Sequence, residues 1–359
     1  MPDQSAFPQV QLGGPDGPMV SAIGFGAMSI SSTIYGAVDE EHALDTLTRA
    51  ADLGTTFWDT SDAYGASQET IGKWFAKTGR RKEIFLATKW GSVDTTYTFD
   101  NPKFYTVNSM PSYIRSKVEE SLKACQTDHI DLYYQHRVDQ RVPVEVVMET
   151  LRPYVESGAI KWIGFSEASI DVLKRAKSVP GIGNKVIAVQ MEYSPFELEI
   201  ETSGFAEAAK QLGISIVAYS PLGRGVMTGQ YRSRADFQES DVRQILPRFS
   251  DENFPANLAI VDRFKTIGEK YNATSGQLTL AWMLARHPTW VPIPGTRSVK
   301  RLEENARAAD IKISEEDLKL LNEVVDAADV KGDRFPPEFA HMFIRDCIPL
   351  SEWHGEESL

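Results

Sequence analysis

The chain has only two cysteines, Cys125 and Cys347, far apart in its 359 residues. That excludes a disulfide framework and fits a reducing compartment. No stretch approaches the roughly 18 uninterrupted apolar residues of a spanning helix. The N-terminal segment carries no basic region followed by an apolar run, so no secretory leader is expected. Positive charge is not in excess: 38 Lys and Arg stand against 50 Asp and Glu, a net charge of −12. A polyanion is repelled on average, so nucleic acid and membrane surfaces are not expected partners, although a local basic pocket for a small anion is compatible. The six histidines show no His-x-His or His-Glu-x-x-His spacing, Cys-x-x-Cys does not occur, and no metal site is expected. No Gly-x-Ser-x-Gly elbow supports Ser-His-Asp hydrolysis. The C-terminus matches no retention or peroxisomal signal, which leaves the cytoplasm as the expected location.

What is present is an alternation of short apolar runs with amphipathic segments. Residues 8–20 read as a small hairpin with Gly13-Gly14 and Asp16-Gly17 between its arms. Strands are expected at 21–25, from 56 to Asp59, and at 84–89, 131–136, 160–166, 186–192, 215–220 and 290–294. Helical spacing fills 39–53, 68–76, 111–125, 143–157, 170–177, 204–212, 257–271 and 275–285. Eight buried strands interleaved with helices require a parallel sheet covered by helices, and their number suits one closed (β/α)8 TIM barrel. An open doubly wound sheet is the weaker fit, because no Gly-x-Gly-x-x-Gly turn follows an early strand. The whole chain, 1–359, reads as a single domain: hairpin at about 8–20, barrel at about 21–310, C-terminal helix and tail at about 311–359. A long Arg-rich loop, 223–256, follows the seventh strand, and the tail 331–359 has no clear period.

Barrel chemistry gathers at the C-terminal ends of strands. Here those ends carry Met28, then Asp59 and Tyr64, Lys89, His136, Ser166 and Glu167, Gln190, Tyr219 and Ser220, and Gly295-Thr296-Arg297. Taken singly, Asp59 reads as a turn or capping residue, Lys89 as a solvated charge or a Schiff-base lysine, and His136 as a structural histidine. An acid, a phenol, an ammonium and an imidazole on three consecutive units read instead as one site.

These motifs resemble the aldo-keto reductase family. They stand as Asp59-Thr60-Ser61-Asp62-Ala63-Tyr64-Gly65, Ala87-Thr88-Lys89-Trp90-Gly91, Tyr133-Tyr134-Gln135-His136-Arg137, Gly164-Phe165-Ser166-Glu167, Gln190-Met191-Glu192-Tyr193-Ser194-Pro195, Tyr219-Ser220-Pro221-Leu222-Gly223 and Ile293-Pro294-Gly295-Thr296-Arg297. The resemblance implies a (β/α)8 barrel that reduces aldehydes or ketones with NADPH, NADH being less favoured. It makes Tyr64 the proton donor, Lys89 its neighbour, Asp59 the anchor of Lys89, and His136 the group that orients the carbonyl. A nearby ammonium is expected to lower the pKa of a phenol.

On the cofactor side, the resemblance assigns the carboxamide to Ser166 and Gln190 and ring stacking to Tyr219. Ser220, Leu222 and Gly223 then approach the pyrophosphate, Thr296 and Arg301 the 2′-phosphate, and Glu304 and Asn305 the adenine. Gly26, Met28, Gly295 and Arg297 complete the cofactor set. Many relatives have Asn where Glu167 stands, and a carboxylate accepts from an amide but does not donate to it. Arg297, Lys300 and Arg301 at the start of a helix are chemically suited to phosphate. Candidate substrate walls are Met28, Tyr35, Trp90 and Phe104, with Phe335 and Phe339 from the tail. The partner is then a small carbonyl compound, the oligomeric state being open. A cofactor-binding regulatory subunit of the same fold is the alternative reading.

Overall fold

The computed structural model describes residues 7–31, 39–98, 101–239, 241–337, 339 and 343–358. An antiparallel hairpin comes first, β1 (Gln9–Gln11) and β2 (Met19–Ser21). Eight parallel strands follow: β3 (Phe25–Gly26), β4 (Phe57–Asp59), β5 (Phe85–Trp90), β6 (Ile130–Gln135), β7 (Ile160–Ser166), β8 (Val186–Glu192), β9 (Ser215–Tyr219) and β10 (Val291–Pro292). Each is bonded to the next in chain order. The ends of the sheet then meet, because Gly24 N–H donates to the Pro292 carbonyl at 2.9 Å and Gly26 N–H to that of Pro294 at 3.2 Å. A parallel bridge from Gly26 to Gly295 completes the seam. The sheet is therefore a closed (β/α)8 barrel.

Parallel neighbours need crossovers, and helices supply them. In chain order these are α1 (Glu40–Asp52), α2 (Ser67–Thr78), α3 (Pro111–Ala124), α4 (Val144–Glu156), α5 (Ile170–Ser178), the short α6 (Glu199–Thr202), α7 (Phe205–Gln211), α8 (Phe254–Gly268), α9 (Ser275–Arg286), α10 (Val299–Arg307) and α11 (Glu315–Asp326). Local sequence marks their starts: the Asp39 side chain accepts from His42 N–H, and Thr274 and Gln277 form a reciprocal capping box. Among the described residues no helix is long and apolar enough to cross a membrane.

The interior explains why the chemistry lies at one end. Phe57, Ala87, Leu132, Tyr134, Ala188, Val217 and Val291 form one buried cluster with Leu12 and Val20 of the hairpin. Gly13 N–H also donates to Ser215 Oγ at 2.8 Å, so the hairpin seals the N-terminal end. Strand side chains alternate, so the residue two positions on points the same way, one layer higher. Phe57 is thus followed by Asp59, Ala87 by Lys89, Tyr134 by His136, Ala188 by Gln190 and Val217 by Tyr219. Apolar residues fill the lower layer and reactive ones the layer above it.

Several expectations need adjusting. Ser21 closes the hairpin rather than opening the barrel, and the first barrel strand is only Phe25–Gly26, with the last reduced to Val291–Pro292. The loop after β9 is not structureless; it folds into 3-10 turns at Val226–Thr228, Arg234–Asp236, Val242–Ile245 and Pro247–Phe249. Phe237, Phe249 and Phe254 pack ring against ring there, and α8 begins at Phe254, ahead of the expected 257.

The seam tolerates no side chain at Gly26, where an added Cβ would lie 2.8 Å from the Ile293 carbonyl oxygen and 3.3 Å from Gly295 Cα. Gly26→Ala is expected to destabilise the barrel by about 1–3 kcal/mol through overpacking. A urea midpoint equal to that of the unaltered protein would show that the seam yields.

Candidate active site

At the open end of the barrel, β4 and β5 bring Asp59 and Lys89 together. Lys89, fully buried, donates through Nζ to Asp59 Oδ1, to the Thr60 carbonyl at 2.8 Å and to the Tyr64 hydroxyl at 3.4 Å. Gln190 Nε2 donates to the second Asp59 oxygen at 2.8 Å. Neither buried charge is left unsatisfied, which a low-dielectric site requires. The Tyr64 ring meets the His136 ring edge to face, with centroids 5.7 Å apart. The four expected residues are therefore neighbours in space.

Their protonation follows from burial and charge. Burial works to neutralise Lys89, but the Asp59 carboxylate outweighs it and the lysine pKa is raised, so Nζ stays an ammonium. Burial drives His136 well below the usual imidazole value, helped by the charges of Lys89 and Arg137. It is neutral at pH 7. The expected lowering of the Tyr64 pKa does not hold in net: burial pushes the phenol up by more than Lys89 pulls it down. Tyr64 is accordingly protonated at neutral pH.

A second buried charge cluster faces this one and was not anticipated. Arg334, from the aperiodic tail, donates to Glu167 Oε1 at 2.8 Å, to Glu192 Oε2 at 3.1 Å and to the Tyr219 hydroxyl at 2.8 Å. Tyr219 in turn donates to Glu167 Oε1 at 2.7 Å. Glu197 lies 3.7 Å from Arg334 and 2.7 Å from Arg248, while Arg224 lies 3.5 Å from Glu192. Burial raises the Glu192 pKa, but Arg224, Arg334 and Arg248 together hold it below the ordinary carboxylate value. Glu167 takes a left-handed backbone, φ 50°, with its carbonyl accepting from Arg345 N–H at 3.2 Å. The tail is thereby tied across the mouth. Glu167 is committed through Oε1, yet its buried Oε2 has no partner among the described residues and could accept from an amide.

The remaining expected cofactor residues lie at or just after the ends of β3, β7, β8, β9 and β10, and on α10. Ser166 Oγ, beside Gln190 in the sheet register, accepts from Arg137 at 3.1 Å. Beyond Tyr219 the backbone turns left-handed at Ser220 (φ 52°), Gly223 (φ 54°), Arg224 (φ 55°) and Gly225 (φ 91°). Within this turn Gly223 N–H donates to the Ser220 carbonyl at 2.9 Å and Gly225 N–H to the Leu222 carbonyl at 3.0 Å. Leu222 is buried within this turn, and Met28 sits half-buried in the turn Ala27–Ile30 after β3. Gly295 and Thr296 lead into the N-terminus of α10, where Arg297 and Arg301 are exposed. Of the acidic residues on the same helix, Glu303 pairs with Arg49 at 2.7 Å, and Glu304 accepts from Thr274 at 2.6 Å. Arg301 instead donates to the neutral Gln230, a residue the sequence did not single out. Asn305 is buried in the same helix.

Of the candidate walls, Tyr35 lies outside the described residues. Trp90 is fully buried, stacked on Tyr133 at 4.7 Å, and packs with Tyr113 and Ile114. Its neighbour Lys89 points inward, so alternation turns Trp90 toward the helices. It is packing, not wall. Phe335 lies under Arg224 at 4.9 Å and packs against Phe343 at 5.8 Å.

The aldo/keto reductase family model matches residues 22–326. The chain belongs to that family. An aldo-keto reductase of Schizosaccharomyces pombe, whose name specifies NADP(+), is 46% identical over 335 residues, covering 92% of this chain and 96% of that one. An aldo-keto reductase of Strobilurus tenacellus is 44% identical over 323 residues, 88% of this chain and 92% of its own. Among solved structures, a thermostable aldo-keto reductase in complex with the inhibitor epalrestat is similar over 89% of this chain and 100% of its own, with a TM-score of 0.69 and 27% identity. The glycerol dehydrogenase of Gluconobacter oxydans shares the fold, with a TM-score of 0.79 and 24% identity over 92% of this chain and 98% of its own. Membership makes the chain an oxidoreductase and accounts for the barrel and its strand-end motifs.

Removing the Arg334 charge leaves Glu167 and Glu192 buried beside each other. Arg334→Met is expected to cost about 3–5 kcal/mol of stability at neutral pH. The loss should shrink toward acidic pH, where the carboxylates deprived of Arg334 take up protons. Denaturant titrations at several pH values test this; a deficit that does not change with pH would mean that packing, not charge, is what Arg334 supplies.

Proposed function

We propose that the chain is an NADPH-dependent reductase of aldehydes or ketones, with Tyr64 as proton donor. The observation that carries this reading is the buried contact of Lys89 with both Asp59 and the Tyr64 hydroxyl at the barrel mouth. The basic start of α10 fits a 2′-phosphate, the turn after Tyr219 lies where a pyrophosphate would pass, and Ser166, Gln190 and the unpartnered Glu167 Oε2 fit a carboxamide. A relative named for NADP(+) supports the same cofactor. When bound, the reduced nicotinamide supplies hydride to the carbonyl carbon.

The protein's own task is to manage the charge that develops on the carbonyl oxygen. Tyr64, protonated at neutral pH, gives its proton to that oxygen. The phenolate left behind lies 3.4 Å from the Lys89 ammonium, which Asp59 keeps charged and in place. His136, neutral beside two cations, orients the oxygen without competing for its proton. Burial raises the phenol pKa and withholds the proton until a stronger base forms next to it.

Tyr64→Phe is expected to bind NADPH normally and to lose about 10²–10⁴-fold in kcat toward an activated aromatic aldehyde. Loss of the near-ultraviolet absorbance of NADPH measures turnover, and quenching of protein fluorescence measures binding. Full turnover in this variant would remove Tyr64 as the acid. Tight NADPH binding with no turnover of any carbonyl by the unaltered protein would favour the regulatory-subunit reading. In the same assay Arg301→Ala should weaken NADPH selectively, leaving NADH little changed.

A further inference from the structure

We propose that Asp62 sets the ring tautomer of His136 through the hydroxyl of Ser61, and so decides whether His136 can donate to a substrate oxygen. The inference deepens the reductase reading and rests on it for its catalytic meaning. Its geometry is independent of that reading. Ser61 Oγ, fully buried, lies 3.1 Å from Asp62 Oδ1 and 3.1 Å from His136 Nδ1. It also accepts from Ala63 N–H at 3.1 Å. The second Asp62 oxygen is buried with no partner, and His136 Nε2 meets no hydrogen-bond partner among the described residues.

A hydroxyl has one proton to give, so its two neighbours compete for it. When Asp62 is ionised, Ser61 O–H turns to Oδ1, and Ser61 Oγ can only accept from Nδ1–H. A neutral imidazole then has a bare Nε2, unable to donate. When Asp62 is protonated, its own O–H serves Ser61, and Ser61 O–H serves Nδ1. The ring proton then sits on Nε2, ready for a carbonyl oxygen. On ionisation the carboxyl proton leaves for water and the ring proton moves from Nε2 to Nδ1 by exchange with solvent, so the imidazole stays neutral with one proton throughout.

The environment places this switch in an accessible range. Burial carries the Asp62 carboxyl up to about 7. Lys117 of α3 pulls it down, as do the Ser61 hydroxyl and Ala63 N–H, and Glu120 of α3 pushes it up. Tyr113 of α3 and Tyr133 of β6 face it as un-ionised phenols, both pushed up chiefly by burial. His136 itself does not charge near pH 7, because burial, Lys89 and Arg137 hold it far lower.

The test is the 15N spectrum of His136 in the full chain without substrate, where the two neutral tautomers give distinct nitrogen shifts. The expected result is Nε2–H at about pH 5.5 and Nδ1–H at about pH 8.5, with the change centred where Asp62 titrates. In Asp62→Asn and in Ser61→Ala the tautomer should stop changing across this range. In parallel, kcat for carbonyl reduction should fall by about 100-fold through the same pH in the unaltered protein, the loss expected for one preorganised donor. That break should be missing from Asp62→Asn. A tautomer that ignores pH in the unaltered protein overturns the proposal even if turnover is high. A tautomer that switches while no carbonyl turns over supports the relay and overturns the reductase reading instead. Asp62→Asn replaces a buried ionisable group by an isosteric neutral one, and thermal melting near about pH 8 at or above the unaltered protein's checks its fold.

Discussion

Everything at the barrel mouth depends on keeping one ammonium charged out of contact with water. Lys89 is fully buried, and a lone ammonium there would lose its proton or unfold its surroundings. The structure prevents this with Asp59, the Thr60 carbonyl and the Tyr64 oxygen, while Gln190 holds Asp59 from a strand across the barrel. The arrangement ties β4, β5 and β8 at one height. It also determines the neighbours: the same positive charge that favours a phenolate on Tyr64 disfavours an imidazolium on His136. One buried cation thus acts on both rings at once, pulling against burial at the phenol and helping burial to keep the imidazole neutral.

The opposite wall solves the same problem with the signs reversed. Three carboxylates, Glu167, Glu192 and Glu197, meet three guanidinium groups, Arg224, Arg248 and Arg334. Glu167 and Glu192 end neighbouring strands, so neither could be buried as an anion without a cation arriving from elsewhere. That cation comes from the tail. Docking of the tail is therefore an electrostatic requirement of the barrel rather than a cover laid over it, and Tyr219 is held in the bargain by Glu167 and Arg334.

What could be read from the sequence follows from periodicity. The strand ends were legible because buried parallel strands give unbroken apolar runs and the first polar residue after each stands out, as Asp59, Lys89 and His136 do. Trp90 was misread although the signal was present: it follows Lys89 directly, and alternation puts successive residues on opposite faces. Arg334 was not legible. It lies 167 residues from Glu167 and 142 from Glu192, in a stretch with no period to say which way a side chain points. A weak signal did exist in the two glutamates themselves, since carboxylates at adjacent buried strand ends imply a missing cation without saying where it resides. The folded turns between 226 and 249 escaped for another reason, because short 3-10 turns carry no amphipathic repeat.

The carboxyls around this mouth show how position divides the work of a single group. Asp59 is bound to an ammonium and a carboxamide, and serves as a fixed anion for Lys89. Glu192, surrounded by guanidinium groups, is held below the ordinary range and cannot respond to pH near neutrality. Asp62 is only partly buried, with its second oxygen shut off from solvent; among the described residues its only side-chain hydrogen-bond contact is the Ser61 hydroxyl, and Lys117, the cation of α3, acts on it only at a distance. Burial pushes both aspartates up, but only Asp59 has an ammonium in contact to hold its charge, which is how one residue type comes to hold a charge in one place and a proton in another. Since Ser61 lies between that carboxyl and His136, the proton held there has a direct route to the geometry of the site.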